Sequence, residues 1–67
     1  MIKPWKILQI KESDAGRFVE YECKRNRTRD DGVFVRETLV SGFWLDEGED
    51  PELAVETVLN ETGWLDA

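Results

Sequence analysis

The stretch DPELAVETVLNETGW, residues 50–64, decides the fold because it predicts the one helix of the chain. Asp50 is a favourable N-cap, Pro51 suits the first helical position, and Glu52 favours the positive end of the helix dipole. Gly63 fits the left-handed position after a helix, where Trp64 would pack back on the last turn. We therefore expect a helix over residues 51–62.

The apolar residues of this stretch predict which side of the helix is buried. At about 100° per residue, one stripe collects apolar side chains and one threonine, and this stripe should cover a sheet. Its members are Ala54, Val55, Val58, Leu59 and Thr62. The opposite side holds Glu52, Leu53, Glu56 and Asn60, so Leu53 is expected to face water among carboxylates.

Upstream of the helix, three segments are rich in β-branched and aromatic residues, which favour strands. They are residues 5–11, 17–25 and 33–45. Ser13–Gly16 predicts a turn, and residues 26–32 predict a longer loop. The sequence thus predicts an α+β fold in a single domain, residues 1–67. In it, a three-stranded antiparallel sheet in chain order is followed by one C-terminal helix, which packs on one sheet face.

Alternation along the strands assigns side chains to the two faces. The helix-facing set is expected to be Leu8, Ile10, Val19, Tyr21, Cys23, Val33, Val35, Leu39 and Phe43. The other face would hold Trp5, Ile7, Phe18, Phe34, Val40 and Trp44. A bulge at Ser41–Gly42 would change the phase of the last residues. One helix cannot cover both faces, so the second face needs its own explanation.

The charge of the chain is unevenly distributed. The 67 residues hold nine basic and fifteen acidic side chains, a net charge of −6. Residues 1–45 hold all nine basic and seven acidic residues, a net +2, whereas residues 46–67 hold eight acidic residues and no basic one, a net −8. A chain of this size excludes a multidomain protein and a large enzyme with a deep pocket, and it contains no apolar run long enough to span a membrane.

The residue inventory does not favour catalysis or metal binding. The chain has no histidine, and its single cysteine, Cys23, has no adjacent base and a predicted place in the core. Glu20 and Glu22 share a strand face, but a solvated pair is the simpler interpretation. Residues 46–50 are rich in carboxylates without the spacing of a calcium loop. We expect no enzyme activity, no cofactor and no metal site, and the lone cysteine without a secretion signal favours a cytoplasmic location.

Three surfaces remain as candidates for binding. The first is acidic and would bind a protein partner that has a basic surface, although such a face can also serve solubility alone. Its candidate residues are Asp46, Glu47, Glu49, Glu52, Leu53 and Glu56. The second is basic and would grip nucleic-acid phosphates unless the neighbouring Asp30 and Asp31 neutralise it. Its candidates are Lys24, Arg25, Arg27 and Arg29.

The third candidate surface is the sheet face that the helix leaves open. Its aromatic side chains, Trp5, Phe18, Phe34 and Trp44, could stack unpaired bases or form the interface of a homodimer. Dimerisation is the preferred interpretation, because a small core gains most from burying a second face. A terminal segment, such as Trp64–Leu65 folded over this face, is the alternative.

The predicted order is three strands and then one helix. The last strand ends with Gly42-Phe43-Trp44-Leu45, and the helix begins with Glu52-Leu53-Ala54. This arrangement resembles the three-stranded DNA-binding domains of integrases. That resemblance implies a sheet face presented to DNA. In size and charge the chain is also similar to small acidic phage proteins of the anti-restriction and anti-CRISPR kind. The leading hypothesis is a non-enzymatic inhibitor or regulator that occupies a partner's basic, nucleic-acid-binding surface. The alternative is a nucleic-acid-binding module that uses the basic loop and the aromatic face.

Overall fold

The computed structural model describes residues 3–65. It contains three strands, β1 (Trp5–Ser13), β2 (Gly16–Thr28) and β3 (Phe34–Leu45), and one helix, α1 (Pro51–Glu61). The strands form one antiparallel sheet in the order β1-β2-β3, which confirms the predicted α+β architecture. The described part of the chain holds no helix that is long and apolar enough to cross a membrane.

Both ends of α1 are closed by the expected residues. The Asp50 carboxylate accepts a hydrogen bond of 2.9 Å from the main-chain N–H of Glu52, as an N-cap does. At the other end Gly63 has a φ of +79°, and the Trp64 N–H donates to the Leu59 carbonyl at 2.9 Å. This is the Schellman arrangement. Thr62, predicted in the buried stripe, is instead the exposed C-cap.

Strands β2 and β3 pair without interruption from Arg17 opposite Leu45 to Thr28 opposite Phe34. The predicted loop over residues 26–32 is therefore too long, because pairing continues through Thr28 and the chain reverses over residues 29–33. The unbroken register also means that no bulge forms at Ser41–Gly42. Phe43 consequently lies on the helix side of the sheet and Trp44 on the open side, as alternation predicts.

The bulge of the sheet lies in β1, between Ile7 and Gln9. It changes the phase of the strand, so that Trp5 pairs with Cys23 on the helix side while Lys11 pairs with Phe18 on the open side. The prediction that Trp5 and Ile7 lie on the open face is therefore wrong. Trp5 is 8% exposed and belongs to the core.

The core lies between the sheet and α1. Its buried members come from every element: Trp5, Val19, Tyr21, Cys23, Leu45, Ala54, Val55 and Leu59. Three residues predicted for it are substantially exposed. Leu8 lies at the bulge, Ile10 lies on the edge strand, and Val33 lies in the loop before β3, so none of the three is covered by the helix.

The chain after α1 also packs on the helix side. Trp64 and Leu65 contact the core, and the Arg25 guanidinium lies 4.0 Å from the centre of the Trp64 ring. The alternative that Trp64–Leu65 covers the open face is therefore wrong. Within residues 3–65, no segment of the chain covers that face, on which Val40 and Trp44 remain exposed.

Gly42 allows an aromatic ring to lie directly on the sheet. A Cβ atom at this position would stand 2.7 Å from a ring carbon of Phe18 and 2.8 Å from the Val19 carbonyl oxygen. The Phe18 ring in turn meets Trp44 edge-to-face, with 5.2 Å between the ring centres. Because Gly42 has no side chain, this aromatic pair can pack directly on the sheet.

We predict that Gly42→Ala lowers the free energy of unfolding by about 1–3 kcal/mol, because the added methyl group must displace Phe18 and press on the main chain. Urea denaturation followed by tryptophan fluorescence measures the change. Ser41→Ala, one residue away on the other face, is the control and should shift stability by less than about 0.5 kcal/mol. An unchanged Gly42→Ala variant would contradict the close packing.

Candidate functional site: an acidic end and a neutralised hairpin

The loop between β3 and α1 is held in place by its own hydrogen bonds. The Asp46 N–H donates to the Glu49 carboxylate at 3.1 Å, and the Glu49 N–H donates to the Asp46 carbonyl at 3.0 Å. Gly48 has a φ of +77°, which permits this reversal. Arg17 of β2 donates to the Glu49 carbonyl at 2.8 Å and ties the loop to the sheet. The carboxylates of the loop therefore project from a fixed support.

Helix α1 continues this charged surface. Glu52, Leu53 and Glu56 are all exposed, and Leu53 retains 63% of its accessible surface, as predicted. Glu52 and Glu56 lie one helical turn apart, about 6 Å. We call the loop and this side of α1 the acidic end: Asp46, Glu47, Glu49, Asp50, Glu52, Leu53 and Glu56.

Few basic side chains approach the acidic end. Among the residues that the structure describes, its one ion pair is Lys3 with Glu52, at 3.7 Å and with both side chains more than half exposed. Such exposed pairs contribute at most about 1 kcal/mol. Lys3 also lies 4.8 Å from the Trp5 ring. Within residues 3–65, the Asp46, Glu47 and Glu56 carboxylates have no hydrogen bond or ion pair, whereas those of Glu49 and Asp50 accept main-chain N–H groups.

The structure adds one carboxylate that the sequence did not indicate. Asp14, in the turn between β1 and β2, lines the same shallow depression of about 390 Å³ as Asp46 and Glu47. Asp14 lies more than thirty positions before Asp46 and Glu47 in the chain. They come together because Arg17 pairs with Leu45, which brings the first turn beside the loop after β3.

The four candidates of the basic surface do not form one surface. Lys24 points to the open face, whereas Arg25 and Arg27 lie on the helix side, because successive residues of a strand point in opposite directions. Arg25 and Arg27 both contact the Glu37 carboxylate, at 3.2 and 3.4 Å.

The remaining two cations of this group also have acidic neighbours. Lys24 pairs with Glu22 at 3.7 Å, and Arg29 pairs with Asp31 at 3.5 Å. Each of the four is therefore within ion-pair distance of a carboxylate of the same hairpin. The positive charge of the segment is largely neutralised within the hairpin itself.

The open face carries a smaller aromatic patch than predicted. Phe18 and Trp44 form its centre, with Trp44 56% exposed. Phe34 is exposed on the same face but lies ten residues from Trp44 along β3, about 34 Å away. Trp5 is absent from this face. Thus Phe18 and Trp44 are the two candidates of the dimer face that the structure brings together.

Within residues 3–65, two titratable groups have shifted pKa values. The Gln9 amide and the Lys11 ammonium, 3.2 Å from the carboxylate, lower the pKa of Glu20 below its ordinary value of 4.5. Burial raises the pKa of the Cys23 thiol, and this outweighs the nearby Arg25 charge. Within residues 3–65, no three acidic or thiol side chains converge on a position where a metal ion could be held.

A comparison of the chain with models of protein families, with curated proteins and with solved structures finds no match.

We predict that the Glu20 carboxyl titrates below the ordinary range of a glutamate, because the Gln9 amide and the Lys11 ammonium stabilise its charged form. Since its folded-state pKa is lowered, its contacts favour folding above the unfolded-state pKa, and this contribution disappears as the pH falls through the folded-state value. Carboxyl NMR across a pH series measures the midpoint. Lys11→Met should move the Glu20 midpoint upward; a wild-type midpoint at the ordinary value of a glutamate would contradict the assignment.

We also predict that Cys23 reacts with a thiol reagent only when the protein unfolds. Its side chain has 0% exposure and its pKa is raised, so the reactive thiolate is scarce and inaccessible. Labelling by a chromogenic disulfide at neutral pH should be at least about 100-fold slower than in urea. A rate equal to that of the unfolded chain would contradict burial.

Proposed function

We propose that this protein is a small non-enzymatic binding protein that uses its acidic end to occupy the basic, nucleic-acid-binding surface of a protein partner. The observation that carries the proposal is the contrast between the two charged regions. The acidic end keeps most of its carboxylates free of ion pairs with residues 3–65, whereas the four candidate cations of the hairpin, Lys24, Arg25, Arg27 and Arg29, are each paired with a carboxylate of the hairpin.

The shape of the acidic end supports the same function. Carboxylates on a braced loop and on one side of a helix lose little conformational freedom on binding, so more of their electrostatic attraction remains as affinity. Their field would also accelerate association with a cationic partner. Leu53 would supply an apolar contact in the middle of the charges, as anchor residues in interfaces do.

This function places the protein where nucleic-acid-handling proteins work, and we propose a cytoplasmic location. It requires no cofactor and no catalytic residue. It matches the mode of action of small acidic inhibitors, which compete with nucleic acid for a basic groove. Such competition weakens with salt, because both partners are charged and counterions screen them.

The test is a pull-down from nuclease-treated lysate over a salt series, followed by measurement of affinity for the captured protein. Glu56→Lys should weaken binding by about tenfold or more, because it places a like charge against the partner. Asp30→Lys is the matched control: it makes the same change in net charge at the exposed hairpin tip and should leave affinity within about threefold.

Three outcomes would overturn the proposal. One is equal loss of affinity in both variants, and another is unchanged binding by a Glu52→Lys, Glu56→Lys double variant. The third is capture that nuclease abolishes, combined with direct binding of short DNA or RNA that Arg27→Ala and Arg29→Ala weaken. That last result would support the nucleic-acid-binding module instead.

A further inference from the structure

The two edges of the sheet differ in how they are protected from pairing with another strand. Edge strand β1 follows Pro4, contains the bulge between Ile7 and Gln9, and carries Lys6 and Lys11. Proline, bulges and lysines are the features with which natural edge strands avoid association. The β1 edge is thus protected by all three.

The opposite edge, β3, has no proline, no lysine and no bulge, and its charged residues are Arg36 and Glu37. Its 12 residues, FVRETLVSGFWL, pair with β2 without a register shift. In the described range 3–65, no main-chain hydrogen bond joins β3 to any element other than β2. Half of its main-chain N–H and C=O groups therefore point outward in a long, regular row. Phe34, Val40 and Trp44 stand exposed along it.

We propose that β3 pairs with β3 of a second copy of this chain, in antiparallel orientation about a two-fold axis at Leu39. The result is a continuous six-stranded sheet. This interface is the edge of the sheet and not its open face, and it is independent of the acidic end.

The sequence of β3 is complementary to itself in this register. Leu39 stands opposite the partner's Leu39, and the pairing spans residues 34–44, nearly the whole strand. Exposed Phe34 meets the partner's Trp44, and cross-strand aromatic pairs of this kind stabilise sheets. Arg36 stands opposite the partner's Gly42, so no like charges face each other. Moving the axis to Glu37 would place two carboxylates side by side.

The remainder of the molecule fits this assembly. The two copies of β2 would lie three strand spacings apart, about 14 Å, and α1 covers core residues from all three strands. Helices pack at about 8–10 Å, so both copies of α1 fit on the same side. Antiparallel pairing places the two acidic ends at opposite ends of the dimer. The loops after β3 in the two copies are separated by about 40 Å, several Debye lengths at physiological salt.

Sedimentation of the full chain over a concentration series tests the pairing. The wild type should show a monomer–dimer equilibrium. Thr38→Lys with Val40→Lys, two exposed positions next to the axis, should raise the dissociation constant at least about tenfold. Leu8→Lys with Gln9→Lys adds the same charge to the β1 edge and should leave the dissociation constant unchanged. Circular dichroism establishes whether each variant is folded. If the Thr38→Lys, Val40→Lys double variant does not fold, the single variant Val40→Arg is used in its place.

Amide hydrogen exchange locates the interface independently. The β3 amides that point away from β2 should become protected as the concentration rises, and the β1 amides should not. A wild type that stays monomeric up to about 1 mM overturns the proposal. A dimer that survives the β3 substitutions also overturns it. So does a dimer in which the amide protection appears on β1 or is absent from β3.

Discussion

The unbroken pairing of β2 with β3 is the constraint on which the rest of the structure depends. From Arg17 opposite Leu45 to Thr28 opposite Phe34, every residue of β3 has its face determined by its partner in β2. A shift of one residue would turn Val19, Tyr21 and Cys23 away from the helix and bring charged side chains under it. Burial of these three residues against α1 therefore holds the register, and the register in turn positions the surface.

The same register determines what the charges can do. Arg25 lies opposite Glu37, and Arg27 lies on the same face of the sheet. The Glu37 carboxylate therefore forms ion pairs with both guanidiniums. Within residues 3–65, the cation that contacts the loop after β3 is Arg17, and its guanidinium donates a hydrogen bond to a main-chain carbonyl. A chain with nine basic and fifteen acidic residues thus folds into a nearly neutral hairpin and a strongly acidic end. The contrast arises from pairing geometry rather than from composition alone.

Local signals predicted the elements and failed where a long-range contact intervened. Asp50, Pro51 and Gly63 act within one helical turn, so the ends of α1 could be read from neighbouring residues. Trp5 could not be assigned in this way. Its face depends on a bulge in β1, and that bulge depends on how β1 meets β2 across the sheet. Asp14 was missed for the same reason, since its proximity to Asp46 is created by strand pairing.

By itself, the sequence determined the order of the elements, the ends of the helix, the exposure of Leu53 and the separation of charge along the chain. Each of these follows from propensities and spacings within a few residues. The tertiary structure decided which side of the sheet holds Trp5, how Arg25, Arg27 and Arg29 are paired with carboxylates, and which edge of the sheet is left unpaired. These depend on register and bulges, which are settled only when distant segments pair and bury their apolar side chains together.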